Sequence, residues 1–340
     1  MKIAIVTDTW LPEVNGVVVT MQHTVQELTA RGHDIVLITP NGFRTIGMPG
    51  YRTIRLALFP KHGVARMLDA EQPDAIHIST EGPLGLAARR YCLDRKLDFT
   101  TCYHTRFPEY VRARAPVPLG VSYAWMRRFH RPASRVMVST RSLARDLTAY
   151  GFGNIVLWNK GVDTELFRPR EKRELNGEQP IWMYVGRVAV EKNLKAFLSL
   201  ELPGTKYVVG DGPDLEMLKA RYASARFTGF LLGQDLARHL ASADVMVFPS
   251  RTDTYGLVQL EAMACGVPVA AFPVTGPLDI IEQGVTGFCD EDLRRAALAC
   301  LELDGTRCRD YALKHGWGQV ATQFLDYMVP ASPARERLAG

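Results

Sequence analysis

The sequence lacks the patterns that define several large classes of protein. It contains no apolar run of about 18 residues, so no segment is predicted to cross a membrane as a helix. Its six cysteines include no C-x-x-C pair, which argues against a disulfide or zinc framework and favours reduced thiols in the cytosol. The chain enters an apolar strand at residues 2–8 without a signal-peptide pattern. These absences favour a cytoplasmic globular protein.

A dinucleotide-binding fingerprint is also missing. Residues 2–8 (KIAIVTD) are typical of a buried strand, and a helix is predicted over residues 17–31. The turn between them contains Asn15 and Gly16 instead of G-x-G-x-x-G, which disfavours a dehydrogenase of the Rossmann class. The backbone at Gly16 could approach a diphosphate, although this dipeptide alone favours an ordinary turn.

What the sequence does contain is a repeated alternation of strands and helices. The 340 residues exceed one typical domain, and 47% hydrophobic with 23% charged residues is ordinary for a globular protein. The alternation occurs twice, which predicts an α/β fold with two doubly wound, Rossmann-like domains. The polar residues 166–180 contain Pro169 and Pro180 and are predicted to link residues 1–165 to residues 181–313.

Acidic residues are scarce in the first half of the chain. Residues 1–170 hold 23 lysines and arginines against 14 acids, whereas residues 171–340 hold 18 against 22. Residues 106–145 contain nine arginines and a single acid, Glu109, with aromatic residues between them. Such a region suits an anionic membrane face, while nucleic acid or a solvated face without a partner is the alternative. The aromatic residues are Tyr110, Tyr123, Trp125 and Phe129.

Residues 249–268 (PSRTDTYGLVQLEAMACGVP) carry the strongest signal in the second half. A buried strand leads into a polar loop with Asp253, and the following helix holds Glu261. Eight residues of helix span roughly 12 Å, about the distance from the ribose to the sugar of a nucleotide-sugar. Either acid alone is more often a solvated helical residue, but the apolar surroundings of Glu261 predict a buried carboxylate that needs a partner. The turn into the helix, whose N–H groups favour an anion, consists of Tyr255, Gly256 and Leu257.

Four elements of the second half are expected to meet at the carboxyl ends of parallel strands. The guanidinium of Arg187 and the ammonium of Lys192 offer two positive charges to a diphosphate, and carboxylates can accept the hydroxyl groups of a ribose and a sugar. Together the set matches a nucleotide-diphosphate sugar group by group, although each residue alone also fits a structural role. The four elements are Arg187, Lys192, the glycine turn at Gly210, and the segment with Asp253 and Glu261.

In the first half, one polar residue stands at a strand end beside the expected ligand site. The strand FTTCYHT (residues 99–105) includes His104 near its carboxyl end. A single histidine in such a place is more often structural. Its position nevertheless makes His104 the best acid–base or polar candidate of this half.

The sequence resembles the retaining glycosyltransferases of family 4. The resemblance is carried by DTWLPEVNGVVVT, YHTRFPEY, NKGVDTELFRP, VGRVAVEKN, VGDGP and PSRTDTYGLVQLEAMACGVPV, and it covers nearly the whole chain. It implies the GT-B architecture, in which two Rossmann-like domains face each other across a cleft, and a helix over residues 314–332 that crosses back to the N-terminal domain. TDTW with NGV, TDT before YGLV, and HISTEGPLG are similar to the subgroup that transfers mannosyl, glucosyl or sulfoquinovosyl groups to lipids.

The resemblance implies a role for each candidate residue. Gly16 approaches the donor phosphates, His104 contacts the transferred sugar, and Glu261 holds the ribose. Arg187 and Lys192 stabilise the leaving diphosphate. Further donor contacts are Gly210, Tyr255, Gly256 and Leu257.

The resemblance also bears on the mechanism. Family members retain the anomeric configuration and need neither a metal nor a cofactor beyond a UDP- or GDP-linked donor. Where the family usually has Glu, this chain has Asp253, which is one methylene shorter and leaves the sugar contact open. No carboxylate is obviously placed as a nucleophile, so a front-face displacement is favoured. The acidic triplet at residues 290–292 resembles a metal-binding D-x-D string, but it falls at a predicted helix N-terminus, where acids are favoured anyway.

The favoured function is transfer of a hexose to a diacylglycerol-type lipid by a peripheral enzyme on the cytoplasmic face of the cell membrane, in glycolipid synthesis. One alternative is a polysaccharide or soluble sugar as acceptor. Another is a nucleotide-sugar-binding protein without transferase activity, to which Asp253 in place of Glu lends weight. Nucleic acid is disfavoured because no RNA- or DNA-binding motif is present. The base, the sugar, the acceptor and the linkage stay open.

Overall fold

The computed structural model describes residues 1–48, 51–113, 115–171 and 175–331, with backbone alone at residues 48 and 51–54. The chain forms two compact units. Unit 1 contains Met1–Pro108, Val117–Asn159 and the C-terminal part from Trp317, and unit 2 contains Glu109–Pro116 and Lys160–Gly316.

The strands and helices alternate along most of the chain. The strands are β1 (Lys2–Val6), β2 (Asp34–Ile38), β3 (Thr45–Met48), β4 (Tyr51–Ala57), β5 (Ala75–Ile78), β6 (Thr100–Tyr103), β7 (Arg135–Val138), β8 (Ile155–Leu157), β9 (Ile181–Val185), β10 (Thr205–Val209), β11 (Arg226–Gly229), β12 (Val245–Phe248), β13 (Val269–Ala271) and β14 (Gly287–Cys289). The helices are α1 (Gly16–Ala30), α2 (Lys61–Glu71), α3 (Pro83–Arg95), α4 (Phe107–Arg112), α5 (Leu119–His130), α6 (Arg141–Ala149), α7 (Leu194–Leu198), α8 (Leu215–Arg221), α9 (Gly233–Ala241), α10 (Leu257–Ala264), α11 (Pro277–Ile280), α12 (Leu293–Cys300), α13 (Gly305–Leu313) and α14 (Trp317–Tyr327). Short 3₁₀ turns cover Pro40–Gly42 and Val190–Lys192. None of the helices in the described ranges is both long and apolar enough to span a bilayer.

Unit 1 is built on a parallel sheet with the strand order β2-β1-β5-β6-β7-β8. Consecutive residues Ile3, Ala4 and Ile5 are fully buried, so both faces of β1 are covered. A separate antiparallel ribbon, β3 with β4, follows β2. Unit 2 repeats the design with the order β11-β10-β9-β12-β13-β14. The predicted pair of doubly wound, Rossmann-like domains is confirmed.

The last helix of the chain packs within unit 1. The indole Nε1 of Trp158 donates to the carbonyl of Val320 at 3.0 Å. The ring of Phe324 lies 5.3 Å from Trp158 and 4.9 Å from His77, measured between ring centroids. The helix is shorter than the expected range 314–332, whose last residue lies outside the described chain. After Tyr327 the chain leaves the helix and becomes extended, and the N–H of Ala331 donates to the carbonyl of Asp74 at 2.7 Å.

The described residues of the predicted linker are held on unit 2. Arg309 donates to the carbonyl of Phe167 at 2.8 Å, and the hydroxyl of Tyr207 donates to the carbonyl of Asn176 at 2.7 Å. These bonds satisfy backbone groups that a segment without regular secondary structure leaves open. Residues 172–174 of the linker lie outside the described chain.

We expect Phe324→Ala to lower the free energy of unfolding of unit 1 by about 3–5 kcal/mol, because it removes a fully buried ring. Urea unfolding, followed by circular dichroism, measures this loss. Asp326→Ala on the exposed side of α14 serves as the matched control and should change stability by no more than about 0.5 kcal/mol. Equal effects of the two substitutions would contradict the packing of α14.

Candidate functional site

The turn from β12 into α10 has the predicted strand–loop–helix form. Gly256 precedes the helix with a φ angle of 84°, a left-handed conformation that glycine adopts without strain. A Cβ at this position would lie 2.7 Å from a ring carbon of Phe248, so the close approach also requires glycine. No side chain caps the start of α10 among the described residues. The first-turn N–H groups, including that of Leu257, can therefore bind an anion.

Two hydrogen bonds from side chains to backbone carbonyls connect the loop after β12 to the 3₁₀ turn Val190–Lys192 and the residue after it. The hydroxyl of Thr252 donates to the carbonyl of Glu191 at 3.2 Å. The side-chain amide of Asn193 donates to the carbonyl of Pro249 at 3.1 Å. The two loops are thus held side by side, although about 60 residues of sequence separate them.

This arrangement brings Lys192 and Asp253 into direct contact. The ammonium Nζ lies 2.5 Å from Oδ1 of the carboxylate, and the two side chains are only 19% and 13% exposed. Oδ2 of Asp253 is buried and has no hydrogen-bond partner within the described ranges. Desolvation lowers the pKa of Lys192, but the charge of Asp253, its hydrogen bond and the neighbouring Tyr110 and Tyr184 together outweigh that effect and leave the pKa above its usual value. The site therefore holds a fixed cation beside a carboxylate oxygen that can accept a hydroxyl group.

Two tyrosines complete the surroundings of this pair. The hydroxyl of Tyr184 donates to the carbonyl of Arg187 at 2.8 Å, which fixes the backbone beneath that side chain. Burial raises the pKa of Tyr110 to about 12, and Lys192 and Asp253 are close enough to act on it electrostatically. Tyr110 therefore keeps its proton at neutral pH. The prediction that Tyr110 belongs to the basic surface is wrong, because segment 109–116 belongs to unit 2.

The glycine turn after β10 packs on the backbone after β9. A Cβ at Gly210 would lie 1.9 Å from the carbonyl oxygen of Gly186, so no larger residue fits. The φ angle of Gly210 is 147°, which also favours glycine. Gly210 thus allows the two strand ends to approach each other beside the half-buried Arg187.

Glu261 lies on α10, four residues after Leu257. The residue is half-buried, and the protein atoms around it partly desolvate its carboxyl group. This desolvation raises the pKa of Glu261 to about 7 from its ordinary 4.5. The structure therefore buries this residue only in part, whereas the sequence predicted a buried carboxylate. Tyr255, at the start of the turn, is buried, and desolvation raises its pKa as well.

Gly16 and His104 belong to unit 1, whereas the other predicted site residues belong to unit 2. Gly16 is the first residue of α1, and Oδ1 of Asn15 accepts from the N–H groups of Val17 and Val18, each at 3.0 Å. His104 directly follows β6 and is half-buried, with its ring 6.0 Å from that of Trp158.

Asp8 has a role that the sequence did not predict, because it directly links two of the motifs that carry the family resemblance. Its carboxylate accepts from the N–H of Leu84 at 2.7 Å and from the hydroxyl of Thr80 at 2.8 Å. Desolvation raises the pKa of Asp8, although these bonds oppose the shift. A Cβ at Gly82 would lie 2.5 Å from Cγ of Asp8. The motifs TDTW and HISTEGPLG therefore depend on each other. TDTW contains Asp8, and HISTEGPLG contains the start of α3, whose N–H groups donate to the carboxylate of Asp8.

The basic region is only partly the mixed surface that was expected. Tyr123 and Phe129 are buried in the core of unit 1, at 1% and 3% exposure, because they lie on the inner face of α5. Trp125 is 42% exposed and lies on the outer face. Arg114 lies outside the described residues.

The acidic triplet at residues 290–292 is engaged by structural contacts. Arg295 donates two hydrogen bonds to the carboxylate of Asp290, each at 2.6 Å. Asp292 accepts from the N–H groups of Arg294 and Arg295 at the start of α12, so the predicted helix N-terminus is confirmed.

The two parallel-sheet units and the matches to known proteins together identify a glycosyltransferase that acts with nucleotide sugars. The chain belongs to glycosyltransferase family 4. Residues 14–166 match the model "Glycosyltransferase Family 4", and residues 179–303 match the model "Glycosyl transferases group 1".

Relatives along most of the chain support this assignment. The sulfoquinovosyl transferase SQD2 of Arabidopsis thaliana is 32% identical, with 94% of this chain and 71% of the relative covered. A GDP-mannose-dependent alpha-mannosyltransferase of Corynebacterium glutamicum is 30% identical, with 85% and 76% covered. An alpha-monoglucosyldiacylglycerol synthase of Streptococcus pneumoniae is 28% identical, with 88% and 78% covered.

Solved structures show the same fold. Sucrose-phosphate synthase from Thermosynechococcus elongatus superposes with a TM-score of 0.75 at 20% identity, covering 96% of this chain and 97% of that one. HepE of Anabaena, in complex with UDP and glucose, superposes with a TM-score of 0.70 at 15% identity, covering 96% and 98%. The fold is therefore of the GT-B type.

Titration of Glu261 should be visible in the stability of the protein without nucleotide. Its folded pKa of about 7 lies above the unfolded value, so the folded state holds a proton that the unfolded state releases. The free energy of unfolding should fall as pH rises from about 4.5 to about 7, by about 2–3 kcal/mol from this group alone. Glu261→Gln should remove that loss in urea unfolding.

Glu302→Gln replaces an exposed glutamate and is the control. It should keep the pH dependence of the wild type. If Glu261→Gln also keeps it, the raised pKa of Glu261 is refuted.

Proposed function

We propose that the protein transfers a hexose from a UDP- or GDP-linked donor to a diacylglycerol-type lipid, with retention of configuration and without a metal ion. The observation that carries the donor part is the half-buried pair of Lys192 and Asp253, whose Oδ2 is buried without a partner within the described ranges. A buried acceptor atom of this kind is costly unless a ligand satisfies it. A sugar hydroxyl is the donor that a nucleotide-sugar offers there.

The donor would be bound group by group in unit 2. Arg187 and Lys192 supply positive charge for the diphosphate, and the open N–H groups at the start of α10 add backbone donors. Glu261 would accept the ribose hydroxyls, for which its carboxylate must be ionised. Because its pKa is about 7, donor binding should strengthen as pH rises through neutrality. Gly210, Tyr255 and Gly256 shape the backbone around the donor.

The transfer step would follow the front-face course. The bond from the anomeric carbon to the diphosphate oxygen breaks, the acceptor oxygen bonds to the same face of that carbon, and the acceptor proton passes to the leaving phosphate. Arg187 and Lys192 would stabilise the charge that develops on the phosphate. Asp253 is a poor nucleophile because its carboxylate is paired with Lys192. In unit 1, His104 would contact the transferred sugar and Gly16 the phosphates.

The outer face of α5 supports a lipid acceptor and a peripheral position at the membrane. Val121 is 61% exposed, Trp125 42% and the neighbouring Phe107 37%, with the rings of Phe107 and Trp125 6.1 Å apart. Apolar side chains among arginines suit the interface of an anionic bilayer. The synthase of Streptococcus pneumoniae, which resembles this chain, is named for a glycolipid product. The exposed arginines of the same helix and its end are Arg127, Arg128 and Arg131.

Loss of either phosphate-binding cation should lower kcat at saturating donor by about 100-fold or more, because each acts on charge that develops during departure. Arg187→Ala should do so with little loss of stability. Lys192→Ala also leaves Asp253 half-buried without its partner, so some loss of stability is expected. The double variant Lys192→Ala with Asp253→Asn removes both charges and should stay folded but inactive.

Steady-state kinetics measures the change in kcat, and thermal unfolding measures the change in stability. Lys195→Ala, which removes an exposed lysine three residues away, is the control and should keep normal turnover. Near-normal kcat in Arg187→Ala would refute its phosphate role.

The acceptor class is tested by transfer from UDP- and GDP-hexoses to a lipid extract, with and without anionic vesicles. Product should form on lipid and increase with vesicles, because the outer face of α5 concentrates the enzyme there. Trp125→Asn should reduce this increase. Transfer to soluble sugars alone would assign a glycan acceptor, and tight donor binding without any transfer would indicate a binding protein.

A further inference from the structure

A second set of exposed apolar side chains in unit 1 belongs neither to α5 nor to the predicted donor residues. Phe59 is 94% exposed, Ile46 56% and Leu58 42%. These three side chains lie at the end of the ribbon of β3 and β4 and in the bend before α2. Exposing a whole phenyl ring to water costs the free energy that its burial would release, so an exposed cluster of this kind points to a partner.

The geometry of the ribbon gathers the cluster on one face. Ile46 pairs with Leu56, and the N–H of Leu58 donates to the carbonyl of Arg44 at 2.8 Å, which extends the pairing by one step. Because alternate residues of a strand point to the same face, Arg44, Ile46 and Leu58 share one side. Phe59 follows directly and forms the tip.

The backbone holds Phe59 outward. Its φ angle is 50°, an uncommon conformation for a bulky residue that costs of order 1–3 kcal/mol. The next residue, Pro60, is buried and accepts from the N–H of Val64 at 2.9 Å as α2 begins. The fold therefore maintains an unfavourable backbone angle at a position where the ring makes almost no contact with the protein.

The part of the sequence that contains the cluster, between Asp34 and Asp69, carries charge of one sign. Residues 35–68 contain five lysines and arginines and one histidine but no acid. Arg44, Lys61 and Arg66 are exposed in this region. An apolar tip among cationic side chains suits binding to an anionic bilayer interface. Binding to a second copy of the same surface would instead bring like charges together.

The cluster lies at the same sheet edge as the apolar start of α5. Helix α2 leads to the amino end of β5, where the N–H of Asp74 donates to the carbonyl of Lys2, so its beginning lies at the carboxyl edge. Helix α5 likewise leads to the amino end of β7, and its beginning lies at that edge too. Both apolar clusters thus emerge at the carboxyl edge of one sheet.

We propose that Phe59, with Ile46 and Leu58, inserts into the interfacial layer of an anionic membrane as a second anchor of unit 1. This inference rests on the membrane part of the proposed function. Two anchors at one sheet edge would set the orientation of unit 1 on the bilayer, which a single amphipathic helix leaves free to rotate about its axis.

The full-length protein is tested with vesicles of equal parts phosphatidylcholine and phosphatidylglycerol, and with phosphatidylcholine vesicles for comparison. Phe59→Asn removes the ring while Asn still tolerates the left-handed backbone, and should weaken binding to anionic vesicles about tenfold. Phe59→Trp, which keeps a large aromatic ring, should bind anionic vesicles as the wild type does. Leu93→Asn changes an exposed apolar residue near the end of α3, at the amino edge, and should leave binding unchanged.

The depth to which residue 59 enters the bilayer is measured with Phe59→Cys that carries an environment-sensitive fluorophore. Five of the six native cysteines are buried, so the new thiol should label selectively. Its emission should shift to the blue on anionic vesicles, and nitroxide groups placed near the lipid headgroups should quench it. The same label at Leu93→Cys should show neither effect.

The outcomes separate this inference from the proposed function. Unchanged vesicle binding in Phe59→Asn, with weaker binding in Trp125→Asn, overturns the second anchor and leaves the membrane enzyme in place. A dimer that Phe59→Asn dissociates, with vesicle binding unchanged, also overturns it in favour of a second copy. If the wild type binds no vesicles, the second anchor and the membrane part of the proposed function fall together.

Discussion

The contact between Lys192 and Asp253 is the constraint on which the site in unit 2 depends. It joins a loop after β9 to the loop after β12 and leaves both side chains less than one-fifth exposed. Burying one charge alone would cost several kcal/mol, so each member makes the other tolerable. The same pair explains the chemistry, because it fixes a cation for a phosphate and leaves one carboxylate oxygen for a hydroxyl group. Hydrogen bonds from the side chains of Thr252 and Asn193 to backbone carbonyls hold the geometry in which this is possible.

Close backbone approach is the second requirement, and glycine provides it in both units. Gly210 lets the chain after β10 touch the carbonyl of Gly186, and Gly256 lets the start of α10 approach the ring of Phe248. In unit 1, Gly82 leaves room for the carboxylate of Asp8 at the start of α3. Each glycine stands where a strand end meets the next element. Ligand-binding loops of parallel sheets form at such places, because backbone groups there lack ladder partners.

The two units divide the chemistry that the proposed reaction needs. Unit 2 supplies a polar set for a charged, water-soluble donor, with buried or half-buried groups whose protonation is controlled by desolvation. Unit 1 supplies exposed apolar side chains among cations, at the starts of α2 and α5. The charge of the sequence differs between its halves in the same sense, since residues 1–170 hold 23 lysines and arginines against 14 acids and residues 171–340 hold 18 against 22.

The sequence by itself determined the two doubly wound sheets, the turn at Gly256 and the helix start at Asp292. These features follow from local apolar patterns and from residues whose preferences act over a few positions. Only the tertiary structure decided that Lys192 meets Asp253, 61 residues later, and that Asp8 meets Thr80, 72 residues later. It also decided that Tyr110 lies beside the donor set, and that Trp125 rather than Tyr123 faces outward. Such contacts depend on which strands become neighbours and on the rotation of a helix against the core, and no local pattern encodes either.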